Sequence, residues 1–258
     1  MKELNKIYLQ DCITFMQEMD AESVDLIIAD PPYNLKKDFG NKSDHWESVQ
    51  DWIKWSKEWI DESIRILKPT GNIFIYGIHH YLCYIQCYLY EKNLRYRRQI
   101  IWHYENGFSG YKTLNAFYEP LLWFSKTNEF TFHEIREPYK SQERLKNKIT
   151  KKGKVWTPNP DGRLAGDVWS FPTLAGKRFE SEKVDHPTQK PLALCNRLVK
   201  HFSNPNDVVF IPFAGSGSEC VSSISNKRKF LATEINTSYI DIANERLEQI
   251  LSLNPVKR

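Results

Sequence analysis

At 258 residues with 41% apolar side chains, the chain is long enough to bury one full core without disulfides, which excludes the small stapled scaffolds. Lys and Arg total 36 against 32 for Asp and Glu, a net of +4, so anion binding must come from where basic residues sit and not from their sum. Cys12, Cys83, Cys87, Cys195 and Cys220 form no CxxC pair, no metal site is expected, and no stretch approaches the ~20 apolar residues of a membrane span. The start, "MKELNKIYLQDC", lacks the apolar region of a leader, and a cytoplasmic protein with reduced thiols is expected.

In chain order, "VDLIIAD" (24–30) is the first aliphatic run, and its unbroken apolar character reads as a strand covered on both faces. It ends in "DPPY", Asp30, Pro31, Pro32 and Tyr33. Prolines stiffen the exit and leave two carbonyl oxygens free to accept hydrogen bonds. The amino group of a nucleobase is a poor nucleophile, because its lone pair is delocalised into the ring. Accepting its hydrogens on Asp30 and on the Pro31 carbonyl would push that lone pair toward an electrophile, while Tyr33 stacks on the extracted base at ~1–3 kcal/mol. The next loop, "LKKDFGNKSDHW", is expected to close over such a base.

The segment 45–68 places Val49, Trp52, Ile53, Trp59, Ile60, Ile64 and Leu67 at helical spacing, with "KPTG" as its stop. "GNIFIYG" (71–77) reads as another strand. Near "NAFYEPLLWFSK", Trp102, Phe117, Tyr118 and Trp123 are mostly assigned to the core. From Glu129 to Lys183 the periodicity fades, and the stretch reads as an insertion with irregular loops between a first part, 1–128, and a last part, 184–258. Inside it, the segment "YKSQERLKNKITKKGKVW" carries Lys140, Arg144, Lys146, Lys148, Lys151, Lys152 and Lys154 against the single acid Glu143. Lys146, Lys148, Lys151, Lys152, Lys154 and Arg163 are the expected contacts to nucleic-acid phosphates.

"HPTQKP" (186–191) then starts a helix, "LALCNRLVKHF", with proline in its first turn. "DVVFIPF" (207–213) is a third strand and runs into "FAGSGS", where Gly215 and Gly217 let the backbone approach a ligand. About twenty residues on, "FLATEIN" brings Glu234 to a strand end, suited to ribose hydroxyls. "EINTSYIDIANERLEQIL" closes the chain as a helix. Strands alternating with helices imply an α/β fold, an open and mostly parallel Rossmann-like sheet with helices on both faces, whose ligand sits at the strands' carboxyl ends.

Asp-Pro-Pro-Tyr, then His-Pro-Thr-Gln-Lys-Pro, then Phe-Ala-Gly-Ser-Gly, in that chain order, resembles the β group of S-adenosylmethionine-dependent DNA amino-methyltransferases. It looks closest to the MboII-type adenine enzymes, and the likeness spans nearly the whole chain. The resemblance implies S-adenosyl-L-methionine as cofactor, with Phe213, Ala214, Gly215, Ser216 and Gly217 forming its loop and Glu234 and Asn236 at the ribose. It puts Asp11 and Cys12 at the cofactor's adenine, with Asp30, His186, Thr188, Gln189 and Lys190 on the methionine side. It also implies methylation of adenine N6 in double-stranded DNA on a flipped-out base, a homodimer, and a cognate restriction endonuclease acting on the same site. Ile211 stands where the family has aspartate, so a cofactor site that is weaker, or that leans more on Asp30, Lys190 and Glu234, is expected, and Ile211→Asp should tighten it. N4-cytosine methylation, an inactive DNA-binding paralogue, a nicotinamide dinucleotide in the glycine loop, an RNA or protein amide target, and a stand-alone regulator without an endonuclease are the alternatives these residues leave.

Overall fold

The run at 24–29 is unbroken because each of its faces meets a different helix layer. Leu26 and Ile28 pack into one buried cluster, while Ile27 and Ala29 pack into another, as the two-residue repeat of a strand requires. The structure is a computed structural model that describes residues 2–36, 44–78, 80–106, 112, 114–141 and 143–253. Its first half contains β1 (Lys6–Leu9), α1 (Cys12–Gln17), β2 (Val24–Ala29), α2 (Val49–Ile66), β3 (Leu67–Tyr76), α3 (Leu82–Glu91), β4 (Arg95–His103) and β5 (Tyr118–Ser125). A middle stretch holds β6 (Arg136–Glu137), α4 (Glu143–Lys146), β7 (Ile149–Lys151), β8 (Lys154–Trp156), β9 (Arg163–Leu164) and β10 (Val168–Ser170). The chain ends with α5 (Leu192–Phe202), β11 (Val208–Ile211), α6 (Ser218–Ser225), β12 (Lys229–Glu234) and α7 (Thr237–Leu253).

Eight strands form one sheet in the order β1-β12-β11-β2-β3-β5-β4-β10. Only β5 runs against the rest, pairing antiparallel with both β3 and β4. One layer is built from α1, α2 and α3, which bury Phe15, Met16, Trp52, Trp59, Ile60 and Leu89 against the sheet. The other is built from α5, α6 and α7, which bury Leu194, Leu198, Phe202, Val221, Ala243 and Leu247. Adjacent β11 and β2 send their chains opposite ways across the sheet, since β11 continues to β12 and β2 continues to β3. A crevice opens where such crossovers diverge, at the carboxyl ends of the strands.

Several expectations change here. α2 does stop ahead of "KPTG", at Ile66, but Leu67, expected on the helix, is its extended C-cap and opens β3, and Lys68 to Gly71 form the irregular start of that strand, where the register with β2 shifts between Val24 and Leu26. Lys68 pays for this kink with a 2.8 Å bond to Asp25. Of the four aromatic residues assigned to the core, Trp102 and Trp123 are buried, but Phe117 and Tyr118 are exposed at 40% and 39%. The stretch 129–183 is partly tied into the main body, because β10 pairs in parallel with β4 and Ile135 and Trp169 join the core. Among the described residues no helix is long and apolar enough to cross a membrane, and no cluster of side chains suits a metal ion.

Candidate active site

Four strand ends and one loop converge on a single cavity. Gln10, Asp11 and Cys12 follow β1, Asp30 to Tyr33 follow β2, Pro212 to Ser216 follow β11, and Glu234 to Asn236 end β12. The loop before α5 adds His186, Thr188 and Lys190. Asp30, Pro31, Pro32, Tyr33, Asp11, Cys12, His186, Thr188, Lys190, Phe213, Ala214, Gly215, Ser216, Glu234 and Asn236 therefore lie together on its wall.

Asp30 is anchored by a buried cation. The Lys190 ammonium, only 4% exposed, lies 2.6 Å from Asp30 Oδ2 and 3.5 Å from Glu119 Oε2, and 4.9 Å from the centre of the Tyr76 ring. Burial works against the charged lysine, but Asp30 and Glu119 together outweigh it and hold its pKa above the usual range. The other carboxylate oxygen, Oδ1, accepts the Tyr33 hydroxyl. Tyr33 is partly buried against the core, so its ring is fixed beside the carboxylate it touches.

The two proline carbonyls differ. Pro32 O accepts the indole N–H of Trp52 at 2.9 Å, which contradicts the expectation that both stay free. Pro31 O accepts no hydrogen bond from the described residues. Asp30 and the Pro31 carbonyl are thus the acceptors left at the cavity's edge.

The cofactor loop is shaped by glycine. Gly215 has φ of 47°, and a Cβ there would sit 2.9 Å from the His186 ring, so only glycine lets the loop and His186 share the wall. Its N–H donates to Glu234 Oε2 at 2.8 Å, and Oε1 accepts from the N–H groups of Ile235 and Asn236. Burial lowers the His186 pKa to about 4, and Nδ1 accepts the Thr188 N–H at 3.3 Å, which makes the ring neutral with its proton on Nε2 at neutral pH. Asp11 caps α1 through the N–H groups of Ile13 and Thr14, both at 3.0 Å, and burial pushes the Cys12 thiol up.

Two expected contacts lie off the wall. Gln189 braces its own loop, accepting from Val184 N–H and donating to Glu182 O, both at 2.9 Å. Gly217 shapes the start of α6 with φ of 74°, where a Cβ would meet Ala243 Cβ at 2.6 Å. Ile211 is also elsewhere: it is 1% exposed and belongs to the apolar core. A carboxylate in its place would lose its water without reaching a cavity residue's side of the wall, contrary to the expected gain from Ile211→Asp.

Sequence reasoning missed an aromatic wall. Trp46, Trp55 and Tyr239 line the cavity, with Trp55 4.8 Å from Trp46 and 5.8 Å from Phe213 between ring centres. Trp55 shares the helical stripe of Trp52 and Trp59, at i+3 and i+7, and that spacing was the available signal. Glu219, also on the wall, carried none. The flanks of the expected closing loop are tied together, since Asp44 accepts from Asn34 N–H at 2.6 Å and Leu35 N–H at 3.0 Å. Residues 37–43 of that loop lie outside the described residues.

Of the expected phosphate contacts, Lys151, Lys152 and Lys154 sit on an exposed hairpin made by β7 and β8. Lys152 and Gly153 turn it with φ of 50° and 74°, the left-handed pair of a tight hairpin turn. Lys148 precedes it, also exposed. Arg163 is instead committed to Glu137 at 2.8 Å, a carboxylate that also holds Arg197 at 3.0 Å. Lys146 pairs with Glu143 at 2.6 Å in solvent, a bond of little strength that phosphate could displace.

An open α/β sheet thus brings an Asp-Pro-Pro-Tyr turn and a glycine loop onto one cavity. A family model for DNA methylases of the N6/N4 type matches residues 24–245, and the chain belongs to that family. It is 34% identical over 260 residues to the type II methyltransferase M1.MboII of Moraxella bovis, covering 97% of this chain and 99% of that protein. It is also 34% identical over 254 residues to the DNA adenine methyltransferase YhdJ of Escherichia coli, covering 95% of this chain and 83% of that protein. Its fold matches the M1.HpyAVI–SAM complex with a TM-score of 0.64 at 24% identity, over 94% of this chain and 98% of that one. It likewise matches the cytosine-N4-specific PvuII DNA methyltransferase with a TM-score of 0.69 at 15% identity, over 96% and 90%. The protein is therefore a DNA methyltransferase whose cofactor is S-adenosyl-L-methionine. The cavity fits that group: a glycine cradle that a Cβ would fill, a fixed Glu234 carboxylate to accept from hydroxyls and an aromatic wall together suit a cationic nucleoside.

Proposed function

We propose that this enzyme methylates the N6 amino group of adenine in double-stranded DNA, on a base turned out of the duplex, as the modification partner of a restriction endonuclease. When bound, S-adenosylmethionine would supply a methyl group made electrophilic by its sulfonium, the S–C bond breaking to leave the neutral thioether S-adenosylhomocysteine. The chain's own task is then to orient an amino nitrogen and take its proton.

The Asp30–Lys190 pair carries the reading. Lys190 holds the Asp30 carboxylate in place, and each of its oxygens retains a lone pair beyond the bonds to Lys190 and Tyr33. One amino hydrogen goes to Asp30 and the other to the Pro31 carbonyl, which concentrates the nitrogen lone pair. As the N–C bond forms, the nitrogen becomes acidic and its proton passes to the Asp30 carboxylate or on to water. Tyr33 offers the extracted base a ring face beside those acceptors. Cytosine presents the same amino group to the same acceptors. Support for adenine comes from the aspartate that opens the motif and from the relative named as a DNA adenine methyltransferase.

Asp11, Cys12, His186, Thr188, Phe213 to Ser216, Glu234 and Asn236 are the residues we assign to the cofactor, and Lys148, Lys151, Lys152 and Lys154 to DNA phosphates. The pairing with an endonuclease is supported by type II methyltransferases among the relatives. Incubation with methyl-labelled S-adenosylmethionine and unmethylated genomic DNA, followed by nucleoside mass spectrometry, tests the base assignment. Label in N6-methyladenine is expected, and label in N4-methylcytosine alone would refute it.

A further inference from the structure

Five acids face the cavity, and four of them are occupied. Asp11 caps α1, Asp30 holds Lys190, Asp44 ties the ends of its loop, and Glu234 accepts three backbone N–H groups. Glu219 differs. It stands in the first turn of α6, 5% exposed; its Oε1 accepts the Cys195 thiol at 3.4 Å, and its own backbone N–H also supports the carboxylate. Among the described residues it forms no ion pair, and no other side chain donates to its second oxygen. Burial, and after it the Asp30 charge, raise its pKa against a weaker opposing pull from Lys190.

Among the described residues no cation on the wall pairs with it. Lys190 makes its ion pairs with Asp30 and Glu119 and reaches Glu219 only as a more distant charge, Arg246 lies off the wall and donates to Ser216 O and Ser218 Oγ, and His186 is neutral. A buried carboxylate with a vacant acceptor calls for a charged N–H donor from the ligand. S-adenosylmethionine carries two cationic groups. The sulfonium has no hydrogen to donate, whereas the α-ammonium has three.

We infer that Glu219 receives the α-ammonium of the cofactor's amino-acid end, and that it thereby makes the cavity select nucleosides that carry that group. This rests on the cofactor assignment above. Glu219 acts as a specificity residue and takes no part in methyl transfer.

The test is calorimetric binding of three probes to wild type and to Glu219→Gln, which keeps an acceptor for Cys195. The probes are S-adenosylhomocysteine, its deamino analogue with the carboxylate kept, and 5′-methylthioadenosine, which lacks the amino-acid end. Wild type should prefer S-adenosylhomocysteine to the deamino analogue by about ten-fold, the worth of one charged hydrogen bond. Glu219→Gln should shrink that preference to about three-fold or less, with 5′-methylthioadenosine binding unchanged as evidence of an intact site. A variant that keeps the full preference overturns the inference, as does one that loses affinity for all three probes equally. Wild type that binds none of them would overturn the cofactor assignment as well, which separates the two failures.

Discussion

The cavity wall and the β7–β8 hairpin are both rich in charge, yet they hold it in opposite ways. On the wall, Lys190 is buried and shared between Asp30 and Glu119, and Glu234 is held by three N–H groups. On the hairpin, Lys151 and Lys154 face each other across the strands in solvent, beside Trp156 at 63% exposure. Charge fixed by a core can place one atom for chemistry, and charge left in water can only attract a polyanion and adapt to it. The first should be costly to remove and the second nearly free.

Lys190→Met should cost most, about 3–5 kcal/mol of unfolding free energy, because Asp30 and Glu119 would lose the buried cation they share. Denaturant melting checks this, and a loss below about 1 kcal/mol would mean the pair is solvated. Ile211→Asp should come next, at about 2–4 kcal/mol, from a desolvated carboxylate in an apolar cluster. A tighter cofactor site in that variant would show that the side chain reaches the cavity after all.

His186 gives a smaller effect with a defined sign. Its folded pKa of about 4 lies below its ordinary value of 6.5, so the unfolded chain binds more protons between those values. Stability is then full above pH 6.5 and is lost as pH falls toward 4, on the order of 1 kcal/mol after allowing for solvent contact. Thermal melts of His186→Asn should show a flatter pH dependence over that window. On the hairpin, Lys151→Gln with Lys154→Gln should leave stability within about 0.5 kcal/mol. The same pair should weaken DNA binding and reduce the salt slope by about 2. An unchanged slope would move the DNA face elsewhere.

Much of the site was legible from local pattern. The β2 run, the α5 start and the glycine loop each announce themselves within ten residues, because strand periodicity and φ requirements are local. What failed was long-range. Nothing near Pro32 says that Trp52, twenty residues on, will occupy its carbonyl. Nothing in "SEC" shows that Glu219 will face Lys190's cavity, and the antiparallel β5 and the edge strand β10 depend on pairings with β3 and β4 that no single window contains. Ile211 shows the same limit in reverse, since its neighbours in sequence line the cavity while its own side chain turns into the core.

Asp30→Asn tests the central claim most directly, because it keeps the shape of the side chain and removes its charge. Single-turnover methyl transfer to unmethylated DNA should fall by at least about a thousand-fold, with S-adenosylhomocysteine still bound within about ten-fold of wild type. Transfer at the wild-type rate would contradict the assignment of Asp30 as the acceptor of the amino group.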